Sequence, residues 1–467
     1  MSVQHVPISL TRRGFLVSLG SSIASMGVLA TCGTSGGAAS TAASSSTSTA
    51  VQATSSAHAS SAAKQAPAGS AVNLAIMNWG NFAEQKVMRA AVAQFQQQHA
   101  GVRVSYINVV GAYYTKLETM IAGNVPPAVF FMDPFDVPTY VTKGTLAPLD
   151  PFVSAHKYDL TDFFPKALDQ YYWQGKLYAL PRGFGNQDIY WNVGLFEKAG
   201  AGEPGLHWND PKWTVDAFLT LAEKLTVRKG SVTTQFGYGQ PLAQRDWEPW
   251  VWLFGGEVVD KSNRRCLLDQ EPAMAGLQFL ADLMHKYRVM PTPAYSQQEN
   301  NTSIFASGRL AMNLDIPAAL VDYRKLTSIH WDVVPLPKKV KAVTSGGGVA
   351  WSMISHAKVP ERAWELLTWV AGPHVQMMEC AANTTAPPRK SIAQSSCFDD
   401  PKLPPKHMEV FLKAPDFVHI DPIVLNWPAI DTLIEKQLSY LWDGSKQAQE
   451  VLPSLAAQVT HMLQQPS

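Results

Sequence analysis

The stretch GKLYALPRGFGNQDIYWN, residues 175–192, decides how this 467-residue chain is organised. Two short apolar runs, 177–180 and 189–191, flank a polar segment that contains two glycines. Taken alone, such a segment is typical of an exposed turn. Placed between two α/β lobes, it predicts a hinge crossing whose polar groups can face a ligand.

The composition supports two lobes and argues against nucleic-acid binding. A chain of 467 residues exceeds the length of one typical core. The 38 Lys and Arg residues nearly balance the 37 Asp and Glu residues. Because these cations are scattered and form no basic stripe, the sequence does not predict a nucleic-acid surface.

The N-terminus has the pattern of an export signal. Residues 11–16, TRRGFL, precede a run of apolar and small residues, which favours a bacterial twin-arginine signal over an ordinary secretory signal. Cys32 follows the sequence LAT and resembles a lipidated cysteine, although Thr31 stands where that pattern has Gly, Ala or Ser. A peptidase that cuts after small residues is the alternative. We predict a signal peptide over 1–32, with Cys32 as the candidate lipidation site.

A linker follows the signal. Residues 33–71 are nearly all Ser, Ala, Thr and Gly, and such a stretch behaves as a flexible tether because it cannot bury apolar surface. A tether favours a lipoprotein on the outer face of the cytoplasmic membrane, and a periplasmic or secreted protein is the alternative. No other stretch of the sequence is long enough and apolar enough to span a membrane.

Three further cysteines lack the CxxC spacing of a metal site. Cys380 and Cys397 are a candidate bridge, and buried free thiols are the other interpretation of these residues and of Cys266. We expect no metal and no cofactor.

From Val72 the chain alternates strands and helices, which predicts a parallel sheet covered by helices on both faces. Ligands of such sheets bind beyond the carboxyl ends of the strands. A second α/β unit follows the crossing. The elements predicted for the first unit are strands at 72–77, 102–109 and 128–132 and helices at 82–99 and 113–122.

Eight motifs in a fixed order carry a resemblance to a known family. The chain after Val72 is similar to the extracytoplasmic solute-binding proteins of ATP-driven importers, in the sugar-binding branch that includes the maltose-binding protein. The motifs are YTKLETMIAGNVPPAVFFM at 114–132, GTLAPLD at 144–150, GKLYALP at 175–181, YWNVGLF at 190–196, WTVDAFLTLAEKLT at 213–226, FASGRLAM at 305–312, GGGVAWSMI at 346–354 and AWELLTWV at 363–370.

The resemblance implies an α/β fold of the type II periplasmic-binding-protein class, with two lobes, several hinge crossings and a ligand cleft that closes on its solute. It implies a monomer that delivers a sugar or another polyhydroxyl compound to the permease subunits of an ABC importer. The crossings are expected at 181–188, at 312–317 and after Ile354. The expected lobes are 72–182 with 313–357, and 183–312 with 358–467.

Candidate ligand residues lie at the predicted strand ends of the first lobe. Trp79 follows the first strand beside Asn81, and its indole would face the cleft or pack in the core. Asp133 follows the third strand, where the family uses an acidic residue to bind sugar hydroxyls, and a helix N-cap is its alternative role. In the hinge, Gln187 and Asp188 are the candidate contacts.

Aromatic residues of the second lobe are candidates for stacking on a sugar ring. Trp247 and Trp250 could stack or could belong to the core, where we place Trp252. Trp427 matches a stacking aromatic of the family, and packing of the following helix is the alternative.

The remaining candidates are weaker. Asp315 follows an apolar strand at the expected second crossing, and its role is open. By resemblance Gly347 and Gly348 line the cleft, and a glycine lets backbone approach a ligand closely. Arg389 matches a sugar-binding arginine of some family members, with a salt bridge as the alternative.

Two other functions are alternatives to solute transport. A glycoside hydrolase needs two carboxyl groups about 5 Å or more apart across the scissile bond, and Asp133 with Asp315 is the best pair. No HExxH, Walker A or GxGxxG motif is present, so we expect no enzyme activity. A polyol or glycerol phosphate binder of the same fold is the second alternative, but few cleft cations besides Arg182 and Arg389 are available for a phosphate.

Overall fold

The computed structural model describes residues 71–465. The predicted signal peptide, Cys32 and the linker up to residue 70 lie outside the described residues. Among the described residues, no helix is both long enough and apolar enough to cross a membrane.

Fifteen strands and eighteen α-helices make up the described chain. The strands are β1 Val72–Asn78, β2 Val102–Asn108, β3 Val129–Met132, β4 Tyr172–Trp173, β5 Lys176–Leu177, β6 Ala179–Pro181, β7 Gly185–Asn186, β8 Asp188–Asn192, β9 Val227–Lys229, β10 Val232–Gln235, β11 Met312–Asp315, β12 Trp331–Val334, β13 Thr344–Gly347, β14 Ala350–Met353 and β15 Val418–Ile420. The helices are α1 Phe82–Gln98, α2 Tyr113–Ala122, α3 Val137–Thr142, α4 Asp150–Ala155, α5 Pro165–Asp169, α6 Val193–Lys198, α7 Val215–Lys224, α8 Gln244–Leu253, α9 Glu271–His285, α10 Pro293–Ser296, α11 Asn301–Ala306, α12 Leu320–Tyr323, α13 Pro360–Val370, α14 Pro373–Ala381, α15 Lys390–Ala393, α16 Glu409–Lys413, α17 Trp427–Trp442 and α18 Ala448–Gln464.

The first lobe is built on a five-stranded sheet in the order β2-β1-β3-β14-β6. β1 pairs in parallel with β2 and β3, and β14 runs antiparallel to β3 and β6. All four residues of β3 are buried, as expected for a strand with helices on both faces. The βαβ beginning predicted from the sequence is therefore confirmed.

The second lobe is built on an antiparallel sheet in the order β11-β8-β12. Side chains alternate along β8, so that Ile189 and Trp191 pack in one core cluster and Tyr190 in another. The larger cluster joins α7, α8, α9, α17 and α18 to one face of the sheet. The smaller cluster covers the other face.

Three segments meet in a small sheet between the lobes. β7 pairs antiparallel with β13, and β13 pairs in parallel with β15. Because β6, β7 and β8 follow one another within residues 179–192, the chain leaves the first sheet and enters the second in one stretch. The first crossing lies where the sequence predicted it.

The return crossing lies elsewhere than predicted. Met312–Asp315 pairs with β8 in the second sheet and does not return to the first lobe at 312–317. The return runs through β13 into β14. Helices α13 and α14 then pack on the first lobe, whereas the expected boundary places residues from 358 onward in the second lobe. The sequence of a short apolar strand does not specify which sheet will receive it, and this is the physical reason for the error.

Candidate functional site

Arg245, the second residue of α8, lies where both lobes and the hinge meet. Its Nε donates a hydrogen bond to Oδ2 of Asp421 at 2.8 Å. Its guanidinium carbon is 4.9 Å from the ring centroid of Phe135, which follows β3 in the first lobe. A Cβ at Gly347 on β13 would lie 2.2 Å from the same carbon, so glycine is needed there for the guanidinium to fit.

Carboxylates keep Arg245 charged in this position. Burial lowers the pKa of Arg245, but Asp421 and Asp133 outweigh this effect and raise the pKa above its ordinary value. The side chain keeps 31% of its surface exposed, so it can be reached from solvent. The guanidinium is thus a permanent cation at the junction of the lobes.

Polar atoms without partners converge around this cation. Nη2 of Arg245, Oδ1 of Asp421 and the hydroxyl of Tyr171 are buried without a hydrogen-bond partner among the described residues. Burial raises the pKa of Tyr171, with Asp133 raising it further and Arg245 opposing the rise, which places Tyr171 near both. Since an unpaired buried polar group costs about 1–3 kcal/mol, this cluster is typical of a site for a polar ligand.

Trp79 and Asp133 directly follow β1 and β3 in the first lobe. The indole of Trp79 is half-buried and packs edge-on against Tyr113 and Phe131, at centroid distances of 4.4 and 5.1 Å. Oδ2 of Asp133 accepts a hydrogen bond from the hydroxyl of Tyr114 at 3.1 Å. Asp133 makes no side-chain capping bond to the helix that follows, so its alternative role as an N-cap is not the one it plays here.

Gln187 links the hinge to the start of α8. Its Nε2 donates to Oδ1 of Asp246, and its Oε1 accepts from the hydroxyl of Ser345 at 3.0 Å. Burial raises the pKa of Asp246 to about 7. Because Asp246 is the chain neighbour of Arg245, Gln187 lies next to the helical turn that carries Arg245.

The comparisons with known proteins agree with this architecture. Residues 79–377 match the sequence pattern of the bacterial extracellular solute-binding proteins. The chain belongs to this family. A binding protein of Brucella abortus is 21% identical over 329 residues, which are 65% of this chain and 76% of the relative.

Solved structures of two relatives share the fold of this solute-binding protein. The ABC substrate-binding protein Lmo0181 from Listeria monocytogenes, in complex with cycloalternan, gives a TM-score of 0.74 at 20% identity, covering 84% of this chain and 99% of that chain. The GacH receptor of Streptomyces glaucescens, solved unliganded and with acarbose, gives a TM-score of 0.70 at 22% identity. The match covers 85% of this chain and 100% of that chain.

The tryptophans of this solute-binding protein that were candidates for stacking lie in the core of the second lobe. Trp247, Trp250 and Trp427 are almost fully buried in its larger cluster, together with Trp252 as predicted. Nε1 of Trp250 donates to Oε1 of Gln240 at 2.7 Å. These tryptophans therefore have the core role that was the alternative to stacking on a sugar, because α8 and α17 bury them in the larger cluster.

Several other candidates hold structural contacts away from Arg245. Asn81 caps α1 by accepting from the backbone N–H groups of Ala83 and Glu84. Asp188 accepts from Asn186, and burial raises the pKa of Asp188 well above its ordinary value.

The last three candidates make structural contacts of their own. Asp315 accepts from the hydroxyl of Tyr323 at 3.2 Å, and burial raises the pKa of Asp315 to about 6. Arg389 is buried in the first lobe and pairs with Asp162, which is the salt-bridge alternative. A Cβ at Gly348 would meet the carbonyl oxygen of Gly183 at 1.9 Å, so Gly348 lets two crossings pack together.

Arg245, Tyr171 and Asp421 were not predicted from the sequence. The available signal was weak: Arg245 directly precedes the tryptophan cluster at the start of a helix, and Asp421 follows β15. No group of His, Cys, Asp and Glu in the described part of the chain could hold a metal ion.

Proposed function

We propose that the protein binds a carbohydrate between its lobes, around Arg245, and delivers it to an ABC importer. The observation that carries this proposal is the convergence of unpartnered polar atoms on Arg245, Asp421 and Tyr171 at the junction of the lobes. A sugar presents many hydroxyl groups that both donate and accept, so it can pair with a guanidinium, a carboxylate and a phenol together.

The charge of the site supports a neutral solute. One cation, Arg245, faces two carboxylates, Asp421 and Asp133, which leaves a net negative charge. A phosphate dianion would be repelled here, and it would also compete with Asp421 for the guanidinium. A neutral polyhydroxyl compound meets neither obstacle.

The aromatic wall supports a sugar ring. Trp79 keeps part of its indole exposed beside Asp133 and Tyr114, so an apolar C–H face could pack on the ring while hydroxyls bond the carboxylate. The relatives from Listeria and Streptomyces bind cycloalternan and acarbose, which are carbohydrates. Ligand contacts by the other predicted residues stay predictions.

The proposal extends to export of the protein, its membrane anchor and its transporter partner. Residues 1–32 would direct export, Cys32 would carry the lipid anchor, and the closed monomer would dock on permease subunits. Binding without turnover is part of the proposal, since two lobes that close on a solute serve transport.

A thermal-shift screen tests the proposal. Neutral mono- and oligosaccharides, polyols and glycerol phosphate would each be added to the purified protein, because a ligand of the folded state raises Tm by mass action. We expect a rise with a neutral sugar and none with glycerol phosphate. A response restricted to the phosphate, or steady hydrolysis of a labelled oligosaccharide, would refute the proposal.

A further inference from the structure

Two thiols outside the proposed site lie together behind the hinge. Cys380 is buried near the end of α14, and Cys397 is half-buried after α15. Both pack against the smaller core cluster of the second lobe. The Sγ of Cys397 lies 3.9 Å from the carbonyl oxygen of Met377, which is one helical turn before Cys380 on α14.

The segment between these thiols, residues 380–397, is a strap across the hinge. The N–H of Phe184 in the first crossing donates to the carbonyl of Ala386 at 3.1 Å, and the N–H of Phe164 in the first lobe donates to that of Pro388 at 3.0 Å. Nη1 of Arg324 in the second lobe donates to Oδ1 of Asn383 at 3.1 Å. The strap thus contacts both lobes and the crossing.

We propose that Cys380 and Cys397 form a disulfide bond that closes the hinge strap into a covalent loop. The two thiols lose two electrons and two protons, and a disulfide donor such as glutathione disulfide accepts them and becomes two thiols. Cys397, the more accessible thiol, first exchanges with the donor to form a mixed disulfide. The thiolate of Cys380 then attacks the sulfur of Cys397 and releases the second glutathione thiol.

The environment of Cys380 sets the pH dependence of this reaction. Burial raises the pKa of Cys380, and contact with Cys397 adds to the rise. Because the thiolate is the attacking species, ring closure is faster at alkaline pH. Cys266 provides an internal control, since it lies in the larger cluster of the second lobe, apart from the other two thiols.

Peptide mapping tests the bond directly. The full chain, folded and incubated with glutathione disulfide, is alkylated and digested with trypsin without reduction. Trypsin cuts after Arg389 and Lys390, so peptides 363–389 and 391–402 separate unless a disulfide joins them. We expect the joined pair, which dithiothreitol releases, while Cys266 stays alkylated. Finding both peptides alkylated and separate after oxidation at alkaline pH would overturn the proposal.

Thermal unfolding gives a second measurement that needs no solute. Closing a loop of this length constrains the unfolded chain, so the oxidised protein is expected to melt roughly 5 °C above the reduced protein. Cys397→Ser, chosen because Cys397 is less buried than Cys380, should melt at one temperature in both conditions. An equal redox shift in this variant would contradict the assignment. Neither measurement depends on sugar binding, so this proposal and the proposed function can fail separately.

Discussion

Gln187 in the first hinge crossing donates a hydrogen bond to Asp246 in the first turn of α8. The neighbour of Asp246 in the chain is Arg245, whose guanidinium contacts Asp421 and lies beside Phe135 of the first lobe. This bond between two side chains therefore connects the hinge crossing to the helix that presents the central cation of the proposed site.

The Gln187–Asp246 contact predicts a pH-dependent stability. Burial raises the pKa of Asp246 to about 7, above its value in the unfolded chain, so the folded state binds more protons between these values. The contribution of Asp246 to the free energy of unfolding is fully present below about pH 4. This contribution falls by on the order of 3 kcal/mol as the pH rises to about 7.

Urea unfolding at pH 5 and pH 8 measures this loss. Asp246→Asn keeps an acceptor for Gln187 but cannot ionise, so the difference between the two pH values should shrink relative to the wild type. Asp169→Asn, which changes a half-exposed carboxylate on α5, is the matched control and should retain the wild-type difference. An unchanged pH dependence in Asp246→Asn would show that Asp246 titrates normally.

Tyr171→Phe should weaken solute binding without harming the fold. The hydroxyl has no partner among the described residues, so its removal costs the folded protein no hydrogen bond. If it bonds the solute, its loss should reduce affinity about 3- to 10-fold, from about 0.5–1.5 kcal/mol per hydrogen bond. Isothermal titration measures the affinity, and Tyr172→Phe, which removes the hydroxyl of an exposed neighbour, should bind as the wild type does. Equal affinities for all three proteins would remove Tyr171 from the site.

Arg182 is expected to matter for stability. It is buried at the start of the first crossing and pairs with Glu84 at 3.0 Å and Glu379 at 2.6 Å. Arg182→Ala leaves two carboxylates without their cation, which should cost about 3–5 kcal/mol of unfolding free energy. Lys325→Ala breaks the exposed pair with Asp322 and should cost less than about 1 kcal/mol. Comparable losses in urea unfolding would contradict the structural role assigned to Arg182.

The sequence predicted the parts of the fold that depend on local patterns. Periodicity identified the strands and helices of the first lobe, and a polar segment between two short apolar runs marked the first crossing. The sheet that Met312–Asp315 joins could not be predicted from local patterns, because this strand pairs with residues far away in the chain. The return crossing was therefore misplaced.

The candidate site was predicted only in part, because residue type alone does not determine where a side chain points. Asp133 follows a strand and lies near Arg245, and Gln187 crosses the hinge and bonds Asp246, the neighbour of Arg245. Trp79 packs against Tyr114, which donates a hydrogen bond to Asp133. Trp250 was a reasonable candidate by type, but its helix turns it into the core. Arg245 and Asp421 are 176 residues apart in the chain. Their pairing therefore depends on the tertiary fold, which local sequence patterns do not specify.

The central claim, that Arg245 anchors a carbohydrate between the lobes, is tested most directly by calorimetric titration of one variant. The neutral sugar that gives the largest thermal shift is titrated into the wild type, Arg245→Ala and Arg264→Ala, the last removing an exposed arginine elsewhere on the same lobe. Charged hydrogen bonds contribute about 1.5–3 kcal/mol, so Arg245→Ala should bind about 10- to 100-fold more weakly, and Arg264→Ala should bind normally. Wild-type affinity in a folded Arg245→Ala protein would contradict the account.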